Sequence, residues 1–382
     1  MKTSLFLTYA ALTTATIIQP PPGDYGVASS TMELVDTSRN DTYAPLSEHR
    51  RIMVSTYYPA TSLKKCQPVI VPYMTPATAA VYDQMYAPLG IPNGTFASFE
   101  LSTCAFPRKD RSRKSNGFPV ALFSPGLGNS RLMYGAMAQS LASHGFVVIT
   151  LDHAYDAAIV EYPDKTVAIA VNIESNEQIE ADVMVRQHDV SFLIDQLHDC
   201  SIRQQLFHNI ADTRSLDKIL MAGHSLGGAT AAAAMLADTR VAAAVNLDGT
   251  LFGDILHKNF TSPFMIVSHQ GKNLSTDVSW IQAWSNAMGT KLAVTLNGTQ
   301  HGSYTDLPLL ANTLGLTGNV SAEIGELLGT MEGARAVELV DTFVLQFSNF
   351  ARGASKALLP AGMAGKFPEA RVLDEQVHKR QC

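Results

Sequence analysis

Three side chains in the second half of the chain have the types and the order that nucleophilic acyl chemistry requires: Ser225, Asp248 and His301. Ser225 lies in the stretch Gly223-His224-Ser225-Leu226-Gly227, a G-x-S-x-G pattern that places a serine on a sharp strand-to-helix turn. The spacing has a steric reason. Glycines two residues to either side let the strand and the helix close up without Cβ clashes, which lifts the serine oxygen clear of the sheet. A serine hydroxyl is a weak nucleophile and needs a base to take its proton and an acid to orient that base. His301, in the loop "GTQHGSY", is the preferred base. His224 precedes the nucleophile and is expected to point away from it, while His269 and His153 end other apolar runs and are expected to line the pocket as satisfied polar groups. Asp248 follows the apolar run after the elbow helix and is preferred as the acid over Asp277, one run later. Two backbone N–H groups must face the developing oxyanion. Leu226 supplies one, and Leu127 in "SPGLGNS" the other, since Gly126 and Gly128 let the main chain approach a substrate.

The elements that would position these groups follow from the hydrophobic pattern. "FPVALFS", "FVVITLDH", "DKILMAGHS", "VAAAVNLDG", "SPFMIVSHQ" and "KLAVTLNGTQH" read as buried strands. Between them come helical segments. One is "SRLMYGAMAQSLASHG", stopped by Gly145; another has Ile179, Val183, Val190, Leu193 and Leu197 on one face and a capping box from Ser175 to Gln178. Nearly all-apolar strands alternating with helices predict an α/β fold, a mostly parallel central sheet flanked by helices on both faces. In such a sheet reactive groups gather at the carboxyl ends of the strands, where Ser225, Asp248 and His301 fall. "MELVDTS" and "RRIMVSTYYPA" predict two earlier strands, residues 61–117 an irregular insertion, and "ARAVELVDTFVLQFSNF" a closing helix. Residues 20–382 then form a single domain. Leu132, Met133 and Met137, after the oxyanion turn, are expected to be buried against the sheet rather than to face lipid.

The chain has 382 residues, 46% of them apolar and 16% charged, with a net charge of -6. That balance fits a globular protein with a large core and offers no basic field for nucleic acid. The first 19 residues read as a secretory signal peptide, with an early lysine, an apolar stretch too short for a membrane span, and prolines beyond. N-x-[ST] acceptors at Asn40, Asn93, Asn259, Asn273, Asn297 and Asn319 agree with a secretory route. So do Cys66, Cys104, Cys200 and Cys382, which lack metal-site spacing and read as two disulfides. Three pairings exist, and Cys66 with Cys104 is favoured because it staples the long loop between them. The basic run at residues 108–114 reads as a solvated loop, with contact to anionic lipid head groups as the sharper alternative. No H-E-x-x-H pattern or other evident ligand cluster calls for a metal.

The combination of "FSPGLGNSRLMYGAMAQSLASHGFVVITLDH", "GHSLGG", "NLDGTLFGD" and "QHGSYTDL", spanning residues 118–307, resembles the plasma-type (group VII) platelet-activating factor acetylhydrolases and their secreted fungal-like relatives. The resemblance implies an α/β-hydrolase fold, calcium-independent hydrolysis of short acyl esters of phospholipids, and no cofactor. It places the nucleophile on Ser225, the acid on Asp248, the base on His301 and the oxyanion donors on Leu127 and Leu226. Two departures bear on the acyl pocket. Ser124-Pro125-Gly126 stands where members commonly carry a histidine before the glycine, and Gly249 follows the acid where the animal enzymes have larger side chains. The expected partner is a small-molecule or lipid ester, with transient contact at a membrane or lipoprotein surface. Two other functions stay open on sequence: a tailoring hydrolase acting on a polyketide ester or lactone, and a catalytically silent hydrolase fold kept for binding.

Overall fold

The computed structural model describes residues 15–105, 117–207, 216, 218–316 and 322–378. Nine strands form the main sheet: β1 (Tyr25–Asn40), β2 (His49–Ser62), β3 (Val120–Ser124), β4 (Val147–His153), β5 (Ile219–His224), β6 (Val241–Leu247), β7 (Phe264–His269), β8 (Lys291–Leu296) and β9 (Ala370–Gln376). Their spatial order is β1-β2-β4-β3-β5-β6-β7-β8-β9. The strands from β4 to β8 run parallel. The β1–β2 hairpin joins β4 antiparallel at one edge, and β9 joins β8 antiparallel at the other.

β3, β4, β5 and β8 are buried along their whole lengths, which is why they read as unbroken apolar runs. The two-residue period of a strand then sorts successive side chains into separate cores. Val120 and Leu122 pack on the side covered by α2 (Asn176–His198), α3 (Leu226–Ala237) and α4 (Val278–Asn286). Ala121 and Phe123 pack on the other side, covered by α1 (Gly135–Ser143) and α5 (Gly333–Ala351). The predicted capping box opens α2, with Gln178 N donating to Ser175 Oγ at 3.2 Å and Ser175 N to Gln178 Oε1 at 3.0 Å. Leu132, Met133 and Met137 are buried.

Three sequence expectations change. Within residues 61–117 the described part, 61–105 and 117, is not irregular: it holds a strand at Pro68–Pro72, a helix at Pro76–Tyr86 and a strand at Phe99–Cys104. These elements are short and proline-bounded, too brief for periodicity to register. The chain does not close on a helix either, because β9 follows α5 as a mostly exposed edge strand whose polar pattern hid it. Finally, Thr16–Ile17 pairs in parallel with Phe99–Cys104 and Ile18 is buried, so part of the stretch read as leader packs into the fold.

Cys66 and Cys104 are disulfide-bonded, as favoured from sequence. The bridge ties the start of the inserted segment to the strand that ends it. Cys200 is exposed, and its expected partner Cys382 lies outside the described residues, as do Asn319, residues 108–114 and residues 1–14. Asn40, Asn93, Asn259 and Asn297 are exposed and Asn273 is half-buried. Among the described residues no helix is long and apolar enough to cross a membrane.

Candidate active site

Ser225 joins β5 to α3 with φ 54° and ψ -124°. A non-glycine residue in that conformation costs about 1–3 kcal/mol and persists only where its surroundings fix it. The fixing is visible. Ser225 N donates to Leu247 O at 2.9 Å, and Gly228 N donates to Ser225 O at 2.8 Å. A Cβ on Gly223 would stand 2.1 Å from Gly227 O, and one on Gly227 would stand 1.9 Å from Ser124 O. Both flanking glycines are therefore demanded by close backbone approach. Gly249 belongs to the same packing: a Cβ there would lie 2.0 Å from Ser225 O, so this residue backs the elbow instead of shaping an acyl pocket.

Asp248 leaves the end of β6 with φ 62° and is buried. Its Oδ2 meets two imidazoles at once, His301 Nδ1 at 2.6 Å and His269 Nδ1 at 2.7 Å, while His269 N donates to Oδ1 at 3.2 Å. Burial alone would raise this carboxyl. The hydrogen bonds from His269 and His301 and the positive charge of Lys272 hold it below the ordinary carboxylate range. An ionised carboxylate only accepts, so both histidines carry their proton on Nδ1 and leave Nε2 free to take one. His301 stands half exposed, with 51% of its side chain accessible. Ser225 Oγ makes no hydrogen bond to His301 among the described residues. The base turn reaches the elbow through His224, whose ring centroid lies 4.6 Å from that of His301. Catalytic contacts of this kind commonly tighten only when substrate arrives.

The ring of His224 lies against His301 and the glycine turn, and both of its nitrogens are engaged there. His224 Nε2 donates to His301 O at 2.9 Å, which leaves Nδ1 to accept from Tyr134 OH at 2.9 Å. Tyr134 OH in turn accepts from Gly126 N at 3.0 Å. Burial and the neighbouring His301 push His224 down to about 3, so it stays neutral and this direction of bonding is kept. One neutral histidine thus ties the base turn to the glycine turn after β3.

That glycine turn is clamped on both sides. Pro125 O accepts from Arg186 Nη1 at 2.7 Å, and the N–H of the same peptide unit, on Gly126, is held by Tyr134. Gly126 O accepts from Asn129 N at 3.0 Å. Because a trans peptide places C=O and N–H on opposite sides, fixing Gly126 O also fixes the direction of Leu127 N–H. Leu226 is the first residue of α3, so its N–H has no acceptor within the helix. Asp277, the less favoured acid, caps α4 through Ser279 N at 3.0 Å and pairs with Lys272 at 3.1 Å.

The structure also assembles groups that sequence reasoning missed. Ser124 Oγ lies 2.9 Å from His153 Nε2, and His153 Nδ1 lies 2.9 Å from Asp189 Oδ2. Arg50 adds bonds of 2.6 Å and 3.1 Å to the two oxygens of Asp189, and Arg39 one of 2.9 Å. Next to this set, fully buried Arg186 bonds both oxygens of Asp156 at 2.5 Å and Asp182 at 3.0 Å. Arg186 does carry a sequence signal. It sits three residues past Val183 and four before Val190, on the apolar stripe of α2, where a charge must find partners. On the other side of the site, buried Asp306 accepts from Tyr73 OH at 2.9 Å, Ala136 N at 2.7 Å and Met137 N at 3.0 Å, anchoring the base turn to α1. An apolar cavity lined by Phe96, Phe99, Leu310, Leu314, Leu327 and Leu328 among others adjoins that turn, with Ser303 Oγ donating to Leu328 O at 2.6 Å. Ser225, Asp248 and His301 do not line it.

Comparison with known proteins places the chain among ester hydrolases. The family model described as "Platelet-activating factor acetylhydrolase, isoform II" matches residues 96–355. A probable 1-alkyl-2-acetylglycerophosphocholine esterase of Arthroderma benhamiae is 28% identical over 378 residues, 94% of each chain. A platelet-activating factor acetylhydrolase of Canis lupus familiaris is 24% identical over 66% of this chain and 62% of its own. Among solved structures, a ferulic acid esterase from Streptomyces cinnamoneus superposes with a TM-score of 0.77 at 28% identity, covering 94% of this chain and 100% of that one.

Proposed function

We propose that this chain, which belongs to the platelet-activating factor acetylhydrolase isoform II family and is an ester hydrolase of α/β-hydrolase fold, is secreted and removes short acyl groups from phospholipid or related esters through a Ser225 acyl-enzyme. The observation that carries the mechanism is the 2.6 Å bond from His301 Nδ1 to ionised Asp248, at the C-terminal edge of the sheet where Ser225 is held at φ 54°. His301 Nε2 takes the Ser225 proton as Oγ adds to the ester carbonyl, and Asp248 stabilises the imidazolium that results. Leu127 N–H and Leu226 N–H receive the oxyanion. As the tetrahedral intermediate collapses, the alcohol leaves with the proton from His301. Water, losing its proton to the same nitrogen, then frees the acid and restores Ser225.

Secretion is supported by the Cys66–Cys104 disulfide, which persists in oxidising compartments, and by four exposed N-x-[ST] asparagines. Leader removal upstream of Thr16 keeps Ile18 in its buried seat, and N-terminal sequencing of the exported protein reads that position directly.

The substrate test is hydrolysis of p-nitrophenyl esters from acetyl to palmitoyl, of a 2-acetyl phospholipid and of a feruloyl ester, with Ser225→Ala as control. Fastest serine-dependent turnover of the acetyl ester and the phospholipid is the expected result. Serine-dependent turnover confined to feruloyl or metabolite esters overturns the phospholipid assignment, and turnover retained by Ser225→Ala overturns the nucleophile.

A further inference from the structure

His269 takes no part in the proton transfers above, yet it gives its Nδ1 to the same carboxylate oxygen as the base, at 2.7 Å against 2.6 Å for His301. The ligand-capable atoms of Asp248, His269 and His301 all lie within 4.8 Å of one another. Two imidazoles and a carboxylate are a donor set suited to borderline metal ions such as Zn2+ or Cu2+. We propose that Asp248, His269 and His301 form an inhibitory binding site for such a divalent transition-metal ion, which enters between the two imidazoles and the carboxylate.

Metal–ligand distances near 2.0–2.1 Å in a tetrahedral site place neighbouring ligand atoms about 3.4 Å apart. The two N···O contacts, at 2.6 Å and 2.7 Å, must therefore open by about 0.7–0.8 Å. Both rings have room to do so, since the side chains of His301 and His269 are 51% and 23% accessible, and that accessibility leaves a fourth position for water. The Lys272 ammonium is engaged elsewhere than the Asp248 carboxylate, with Nζ 3.2 Å from Asp248 O and 3.1 Å from Asp277 Oδ2.

Inhibition follows from the tautomer. To bind metal, each neutral imidazole must free Nδ1, and its single proton moves to Nε2 by way of solvent, with no net loss of protons. His301 carrying Nε2–H cannot accept the proton of Ser225. The base is present but reversed.

The effect on rate rests on the catalytic reading of His301, whereas binding does not, so the two are measured apart. Untagged Ser225→Ala protein, freed of metal by EDTA, keeps all three ligands and is titrated with ZnCl2 by calorimetry. One Zn2+ per chain is expected. Adding His269→Ala or, separately, His301→Ala to this background should weaken binding by at least about tenfold, since losing even an outer partner of a ligand commonly costs 10–100-fold. Absence of binding, or binding that survives both folded histidine variants, overturns the site. In the Ser225 protein, Zn2+ should suppress p-nitrophenyl acetate hydrolysis, EDTA should restore it, and His269→Ala should raise the half-inhibitory concentration at least about tenfold against its own uninhibited rate. Zn2+ bound at these residues without loss of rate overturns the inhibitory role.

Discussion

Ser124, His153 and Asp189 make a more completely hydrogen-bonded set than Ser225, His301 and Asp248, with both links at 2.9 Å and the same histidine tautomer. Their surroundings are opposite. Ser124 and Asp189 are fully buried and His153 nearly so, whereas Ser225 is half-buried and His301 half exposed. Burial, together with the charges of Arg186 and Arg50, holds His153 below the ordinary histidine range, despite the opposing pull of Asp189. A carboxylate already paired with Arg50 and Arg39 has little charge left to stabilise an imidazolium. Asp248 is ionised as well, but it bonds two imidazoles and the backbone N–H of His269, and no guanidinium. In the proposed mechanism the two sets have different tasks. Ser225 is strained and half-buried and His301 half exposed, which suits a nucleophile and base that must meet a substrate, whereas the buried set braces the start of the glycine turn.

Substitution should separate the two sets. Ser225→Ala should lower kcat for p-nitrophenyl acetate by on the order of a million-fold with folding intact, while Ser124→Ala leaves turnover measurable. Comparable losses from both would erase the distinction. Arg186→Met comes next. It strands Asp156 and Asp182 in the core, at about 3–5 kcal/mol of stability by denaturant titration. It also frees Pro125 O, so kcat should fall by up to ~10²–10³, the cost of one oxyanion donor, with KM little changed. Ser124→Ala itself should cost about 1–3 kcal/mol, because His153 Nε2 loses its buried donor.

A third buried carboxyl extends the contrast through pH. Asp306 has only neutral donors, and burial raises it to about 7. Between the ordinary carboxylate range and that value, the folded chain holds a proton that the unfolded chain has lost. The contribution of Asp306 to stability therefore falls as pH rises across this window, by at most about 1.4 kcal/mol per pH unit. Asp189 and Asp248, both lowered, act in the reverse sense, and their stabilisation is lost only in strong acid. His224 and His153, both lowered, pull the other way below the ordinary histidine range. The readout is therefore the difference between the parent protein and Asp306→Leu, which no longer titrates. The urea midpoint of the parent relative to the variant should decline from pH 5 to pH 8. A difference that rises with pH would place Asp306 among the ionised acids.

What could be read from sequence tracks the range of each constraint. The elbow glycines act on neighbours two residues away, so Ser225 was legible from five letters. Asp248 and His301 stood out because the runs before them are buried on both faces. His269 ends such a run too, yet its bond to Asp248 depends on strand order β6-β7-β8, which hydropathy does not encode. Arg186 broke an apolar stripe visibly, but its target, Pro125 O, lies 61 residues away. The elements within residues 61–117, and β9, are short or exposed, and neither burial nor period marked them.

The alternation along β3 has a further consequence. Val120 and Leu122 belong to one core and Ala121 and Phe123 to the other, so residues adjacent in the chain share no side-chain partners across the sheet. Energetic coupling in proteins follows shared partners and not sequence proximity. Truncations at Leu122 and Phe123 should thus be nearly additive, within about 0.5 kcal/mol, while Leu122 with Ile149, which pack in one core, should not. Each parallel strand accordingly presents two independent surfaces to mutation, and one layer can drift in sequence while the layer behind it keeps its packing.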